Sequence, residues 1–162
     1  MIAPVLETGR LRLRPWRPED APALYAYASH PEVGPAAGWR PHATLAESRK
    51  WTALWSSPAC PEPIWAITER GEDRPFGAIA LHTGEDPACP TLGYTLAQGR
   101  WGHGLMAEAA TAVLAWAFGP GGFARVRTWH YPENGRSRRV IEKCGFRYVT
   151  TFDRGRPLFH PL

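Results

Sequence analysis

The sequence predicts an α/β fold, with a mixed-direction central sheet flanked by helices, in a single domain covering residues 1–162. Three observations carry that prediction. Segments with apolar residues at helical spacing alternate with β-rich segments along the whole chain. Two β-rich segments, Ile64 to Thr68 and Phe76 to Leu81, are close enough to form a hairpin around Gly71-Glu72-Asp73-Arg74-Pro75. A third, Thr91 to Ala97, passes through glycines at 99, 102 and 104 straight into an apolar run from Leu105 to Phe118. That run has only a narrow polar stripe at Glu108 and Thr111, as expected of a helix lying under a sheet.

In chain order, Leu6 to Pro15 reads as a strand, because Leu11 and Leu13 alternate with Arg10, Arg12 and Arg14 and leave one buried face. Pro18, Glu19 and Asp20 open a helix to about Ser29, with acidic residues in its first turn and Leu24, Tyr25 and Ala28 facing inward. The stretch from His30 to Ala43 holds three prolines and two glycines and reads as a long irregular segment of the kind that shapes binding sites. Thr44 is an N-cap, with Glu47 completing a capping box, for a helix to about Ser57 whose apolar positions are Leu45, Trp51, Leu54 and Trp55. After the hairpin, a proline-containing loop from Glu85 to Pro90 leads into the Thr91 strand. Gly119-Pro120-Gly121-Gly122 ends the apolar helix, and Ala124 to Tyr131 reads as a strand. A helix then follows Asn134, and Arg147 to Phe152 and Leu158 to His160 are closing strands.

Composition narrows the class. With 44% hydrophobic and 21% charged residues the chain is of globular type. No apolar run approaches the ~18 residues of a membrane helix, and the N-terminus lacks a basic-then-apolar signal, so a cytoplasmic location is expected. Cys60, Cys89 and Cys144 have no metal-ligand spacing and are odd in number, which predicts reduced, structural thiols and no metal site. The excess of 19 Lys and Arg over 15 Asp and Glu is mild, and no basic stripe with interleaved aromatics argues for nucleic acid. A polyanionic small molecule is a sufficient explanation.

The glycine turn points the same way. Glycines between a strand and a helix remove side chains where several backbone N–H groups can face one ligand at the positive end of the helix dipole, which suits a phosphate or pyrophosphate. The turn is not a nucleoside-triphosphatase P-loop, since no Lys-Ser or Lys-Thr follows Gly104. Nor is it a dinucleotide fingerprint, because Ala107 stands where a further glycine is required and no acidic residue lies about twenty positions on. A second landmark is Asn134-Gly135-Arg136-Ser137-Arg138-Arg139-Val140-Ile141-Glu142-Lys143-Cys144-Gly145-Phe146. Ser137, Ile141 and Cys144 share an inward helical face, Asn134 is placed to cap the amide at 137, and Gly145 reads as a left-handed C-cap.

Together these stretches resemble the GNAT superfamily of acyl-CoA-dependent N-acyltransferases, in particular its RimJ/RimL-like branch of ribosomal-protein N-terminal acetyltransferases. The matching text is Leu92-Gly93-Tyr94, Trp101-Gly102-His103-Gly104, Glu108-Ala109, Asn134 with Ser137, and Glu142 to Phe146; Thr8 to Pro15 is similar to the opening strand of that branch. The resemblance spans nearly the whole chain and implies acetyl-CoA as co-substrate, bound by Tyr94, Thr95, Leu96, Gly99, Arg100, Trp101, Gly102, His103, Gly104 and Asn134. It implies that the backbone of Tyr94 to Leu96 serves the oxyanion and the pantetheine arm, and that Ser137 is the catalytic proton donor. It also makes Trp39, Arg40 and His42 candidates for substrate contact, and a homodimer is common among such proteins. Arg136, Arg138, Arg139 and Lys143 lie near the phosphate end in sequence, although an outer helix face accounts for any one of them.

Two positions depart from the resembled pattern. Gly99 stands where Gln or Arg is frequent, and Thr91 stands where an acidic residue often precedes the Gly-Tyr strand. The base therefore stays open among His82, Glu85, Asp86, His103 and His130. Direct attack of a primary amine on the thioester needs that amine uncharged, and an α-amino group near ~8 demands less of a base than a lysine near ~10.4. The resemblance makes a protein or peptide N-terminus the leading acceptor, with a small-molecule amine such as an antibiotic or polyamine as the alternative, and a non-catalytic acyl-CoA sensor as a third reading.

Overall fold

The structure, a computed structural model, describes residues 1–84, 86–152 and 156–161, with side chains as far as Thr151. Strands β1 (Leu6–Glu7), β2 (Leu11–Pro15), β3 (Ile64–Glu69), β4 (Gly77–His82) and β5 (Thr91–Leu96) form one sheet in that order, and β6 (Thr128–Trp129), β8 (Arg156–Pro161) and β7 (Phe146–Phe152) form a second. Every described strand pair is antiparallel. The parallel component of the expected mixed sheet is one bridge between Thr91 and Arg127, where Leu92 N–H bonds the Arg127 carbonyl at 2.7 Å and Arg127 N–H bonds the Pro90 carbonyl at 2.9 Å. Beyond this point the Thr128 hydroxyl reaches across, to the Leu92 carbonyl at 2.9 Å. The expected strand from Ala124 to Tyr131 is therefore reduced to two residues, because its neighbour β5 diverges from it, and the divergence opens the cleft described below.

Helix α4 (Leu105–Phe118) has the predicted bounds and buries Leu105, Met106, Ala109, Ala110, Val113, Leu114 and Ala117 against Leu11, Leu13, Trp65, Ile67, Ile79, Leu81, Leu92 and Leu96 on one face of the sheet. On the other face Leu24, Tyr27 and Ala28 of α1 (Ala21–Ala28) pack with Trp16, Val33, Ile64, Ala66 and Ala80. The expected helix from Pro18 begins as a 3-10 turn, Pro18–Asp20, and its inward aromatic is Tyr27, with Tyr25 half-buried. The segment expected to be irregular contains a short helix, α2 (Val33–Ala37).

Two other expectations are corrected. The first strand is a tight hairpin, β1 and β2, and Arg14 does not face solvent. It is 1% exposed, held by two bonds of 2.8 Å to the Asp20 carboxylate and one of 2.6 Å to Asp73. A guanidinium can be buried when carboxylates and carbonyls satisfy its donors. Removing one buried partner leaves the other charge stranded, so Asp20→Ala is expected to lower stability by about 3–5 kcal/mol in urea unfolding. A loss below about 1 kcal/mol would show that Asp73 suffices alone.

Helix α3 (Leu45–Trp55) is capped by Thr44 as expected, the Thr44 hydroxyl accepting from Glu47 N–H. The Glu47 carboxylate instead accepts from Ala43 N–H, one residue before the cap, and from Arg40. The helix buries Ser48 and Thr52, not its apolar residues: Trp51 is 42% and Leu54 52% exposed. Ser48 is spent on His42 and Thr52 on the Pro18 carbonyl, which turns the indoles of Trp51 and Trp55 toward the cleft.

Candidate active site

Between β5, the start of α4 and α5 (Gly135–Lys143) lies a cavity of about 820 Å³ that continues under α2 and α3. Its edge strand supplies the first element. Backbone groups alternate along a strand, and Leu92 N–H is already turned toward Arg127, so Tyr94 and Leu96 turn the same way, onto the side where, among the described residues, no strand pairs with them. The Leu96 carbonyl accepts the Trp101 indole N–H at 2.9 Å, while Tyr94 offers its N–H and carbonyl to the cavity. Thr95 points its amide at β4, opposite Ala78, and of the three expected backbone contacts it is the one already used within the sheet.

The glycine turn supplies the second element. Gly102 has φ +80° and Gly104, the residue before α4, has φ +73°, a region that residues with a Cβ rarely adopt. A side chain at Gly102 would meet no protein atom within 4 Å, which leaves the space over it open to a ligand. The turn is pinned from behind: Glu108 accepts from the Thr8 hydroxyl, from Arg10 N–H at 2.8 Å and from the Arg10 guanidinium at 2.7 Å, while Arg10 also donates to the His103 carbonyl at 2.9 Å. Burial raises the Glu108 carboxyl, but these donors more than offset it and hold it below the usual range.

Helix α5 supplies the third. The Asn134 side-chain oxygen accepts from Ser137 N–H at 3.1 Å, as expected of an N-cap, while its nitrogen donates to the Ala36 carbonyl at 3.1 Å. Both polar atoms of Asn134 are thus engaged within the chain, and it ties α5 to α2 across the cleft. Ser137 faces inward, with its hydroxyl 2.8 Å from the Tyr94 hydroxyl. Burial pushes the Tyr94 phenol well above its ordinary value, so it stays protonated and can relay a proton to the serine. This hydroxyl pair was not legible in the sequence, where Tyr94 suggested only its backbone.

Of the residues expected at the site, Tyr94, Thr95, Leu96, Arg100, Trp101, Gly102, Gly104, Asn134 and Ser137 line the cavity; Gly99 and His103 do not. Arg100 lies 4.4 Å from the Phe76 ring centroid and bonds Glu69, while Arg136 stacks on Trp101 at 3.8 Å. Arg139 and Lys143 also line the cavity, whereas Arg138 pairs with Glu142 on the outer face. At the other end Trp39, Arg40 and His42 are all in the wall, joined by Trp51, Trp55 and Trp129. Burial pushes the His42 imidazole down, and its Nδ1 lies 2.8 Å from the Ser48 hydroxyl. Among the candidate bases, His82 and His130 reach the cavity and Asp86 does not; Glu85 lies outside the described residues. Among the described residues the cysteines form no disulfide, burial pushes Cys144 up, and no group of side chains has a metal-site arrangement. No helix of the described residues is long and apolar enough to cross a membrane.

Comparison with known proteins agrees with this geometry. Residues 10–147 match the family model described as the acetyltransferase (GNAT) domain. The chain is 26% identical over 148 residues to the uncharacterized N-acetyltransferase YoaA of Bacillus subtilis (strain 168), covering 88% of this chain and 82% of that protein. A GNAT-family acetyltransferase structure from Bacillus anthracis superposes with a TM-score of 0.86 at 21% identity, covering 98% of each chain. AAC(6')-Ib in complex with ribostamycin and coenzyme A superposes with a TM-score of 0.75 at 21% identity, covering 93% of this chain and 91% of that one. An open strand edge, a left-handed glycine turn before a buried helix and a match over most of the chain place this protein in the GNAT acetyltransferase family, as an N-acetyltransferase that uses acetyl-CoA.

Proposed function

We propose that the acceptor is the α-amino group of a peptide or protein N-terminus bearing an apolar side chain, acetylated in the cytoplasm by direct attack. The charge of the cavity carries this reading. Its described lining holds Arg40, Arg100, Arg136, Arg139 and Lys143 against a single carboxylate, Glu47, which is already bonded to Arg40 and to Ala43 N–H. A polyamine or aminosugar brings several positive charges and finds there no free anion to hold them. An α-amine with one apolar substituent meets the indoles and needs the loss of only one proton, from a group near ~8.

The residues present fit acetyl-CoA. The open turn at Gly102 and Gly104, with Arg136, Arg139 and Lys143, would hold its phosphates, and Tyr94 N–H would face the acyl carbonyl. Bound acetyl-CoA supplies an activated acyl thioester. The chain stabilises the charge developing on the carbonyl oxygen through the Tyr94 amide and offers a proton to the departing sulfur from the Ser137–Tyr94 hydroxyl pair.

Release of free thiol from acetyl-CoA, followed across peptides of varied N-terminal residue, spermidine and an aminosugar, tests the acceptor. Peptides with an apolar first residue are expected to exceed the polycations in kcat/KM by tenfold or more. Turnover confined to spermidine or the aminosugar would refute the α-amine reading.

A further inference from the structure

We propose that His82, oriented by Glu62, is the general base that takes the proton from the acceptor amine. His82 is the last residue of β4 and stands directly opposite Thr91 of β5, a residue that cannot serve as a base. Its Nδ1 lies 2.8 Å from Glu62 Oε2, and the other carboxylate oxygen accepts from Thr83 N–H at 2.9 Å, so Glu62 is fixed at both oxygens. With Nδ1–H donated to a carboxylate, the neutral ring carries its lone pair on Nε2. That nitrogen lies over the middle of β5. A Cβ built on Gly93 would come within 2.9 Å of Nε2 and 3.0 Å of Cδ2, so the absent side chain at 93 is what admits the ring. Gly93 immediately precedes Tyr94, whose N–H faces the cavity, and His82 and Gly93 both line the cavity.

The other cavity histidines are placed differently. His130 has Nδ1 on the Tyr131 carbonyl, 2.6 Å away, and His42 is set against Ser48 and the Trp39 ring.

The proton balance closes with these groups. Nε2 of His82 removes one proton from the ammonium, freeing the nitrogen lone pair. The C–N bond forms to the thioester carbonyl as the C–S bond breaks, the Ser137–Tyr94 pair gives a proton to the departing sulfur and regains one from water, the second nitrogen proton leaves through His82 once the first has gone, and His82 returns each proton to water, a net release of one. Its side chain is 51% exposed, which gives that proton a route out. Glu62 acts through His82 and is a positioning residue.

The proposal rests on acetyl transfer and not on the acceptor class, so it is measured with whichever amine of the panel turns over fastest; a failed α-amine reading then changes the amine used and nothing else. Asparagine keeps a donor near the Nδ1 position but has no base at Nε2, so His82→Asn is expected to lower kcat about 100-fold, in the range of general-base removal, with acetyl-CoA affinity unchanged. In His82→Ala, added imidazole is expected to restore activity in proportion to its concentration, a response that a merely structural histidine would not give. Glu62→Gln keeps an acceptor for Thr83 and is expected to lower kcat several-fold at near-constant KM. A His82→Asn enzyme within threefold of the unaltered rate would overturn the proposal, as would a slow His82→Ala variant that binds acetyl-CoA normally and ignores imidazole.

Discussion

Gly102→Val is expected to abolish saturable acetyl-CoA binding, with Kd raised at least 100-fold by calorimetry, while the folded protein survives. Two costs combine. The backbone at 102 sits at φ +80°, which a β-branched residue adopts only with strain. In addition, the new methyl groups would occupy space in which no protein atom lies within 4 Å, the space through which a phosphate must approach the amides of the turn. Gly99 is the control, because it too has open space around it but has no positive φ and lies outside the cavity. Gly99→Ala should therefore bind acetyl-CoA within about threefold of the unaltered protein, allowing for the ~0.5–1 kcal/mol that separates glycine from alanine. Equal loss in the two variants would mean that the turn matters only as a turn.

Ser137→Ala is expected to lower kcat by about 10- to 100-fold at unchanged acetyl-CoA affinity, the ordinary range for removing a positioned proton donor. The loss is moderate because a thiolate, with a conjugate acid near ~8.5, is already a fair leaving group. Tyr94→Phe should lose a comparable factor, since the two hydroxyls are 2.8 Å apart and the phenol stands behind the serine in the relay. If they act as one unit, the double variant falls little further than either single one. Full additivity would separate the two roles, and unchanged turnover in Ser137→Ala would remove the serine from the chemistry.

The parts of this molecule that were legible in its sequence are those governed by local rules. The apolar period of Leu105–Phe118, the Asn134 and Thr44 caps and the left-handed Gly145 are settled within a few residues of chain, and each stands where expected. What was not legible depends on distant partners. Arg14 reads as a surface residue until Asp20 and Asp73 are folded over it, and Trp51 reads as core until Ser48 and Thr52 take the inner face of α3. The same holds at the site. The glycine turn and Ser137 announce themselves, but the partner of Ser137 lies 43 positions away and that of His82 lies 20 positions away across a strand pairing. A faint signal for the second existed: Gly93, a glycine inside a strand, marks a close approach by another group.

The unpaired edge at Tyr94 and Leu96 has one more consequence. A sheet that stops with its amides unclaimed is ordinarily an invitation to another polypeptide, and proteins guard against it. Here the bare stretch is short and lies in a cleft whose lining includes Ala107, Val140 and Trp129. A full strand carries side chains that project above and below, whereas an unbranched thread carrying its own amides can pair with such an edge and bring none. The feature that would make another fold sticky is here an acceptor and donor row for a ligand's own amides.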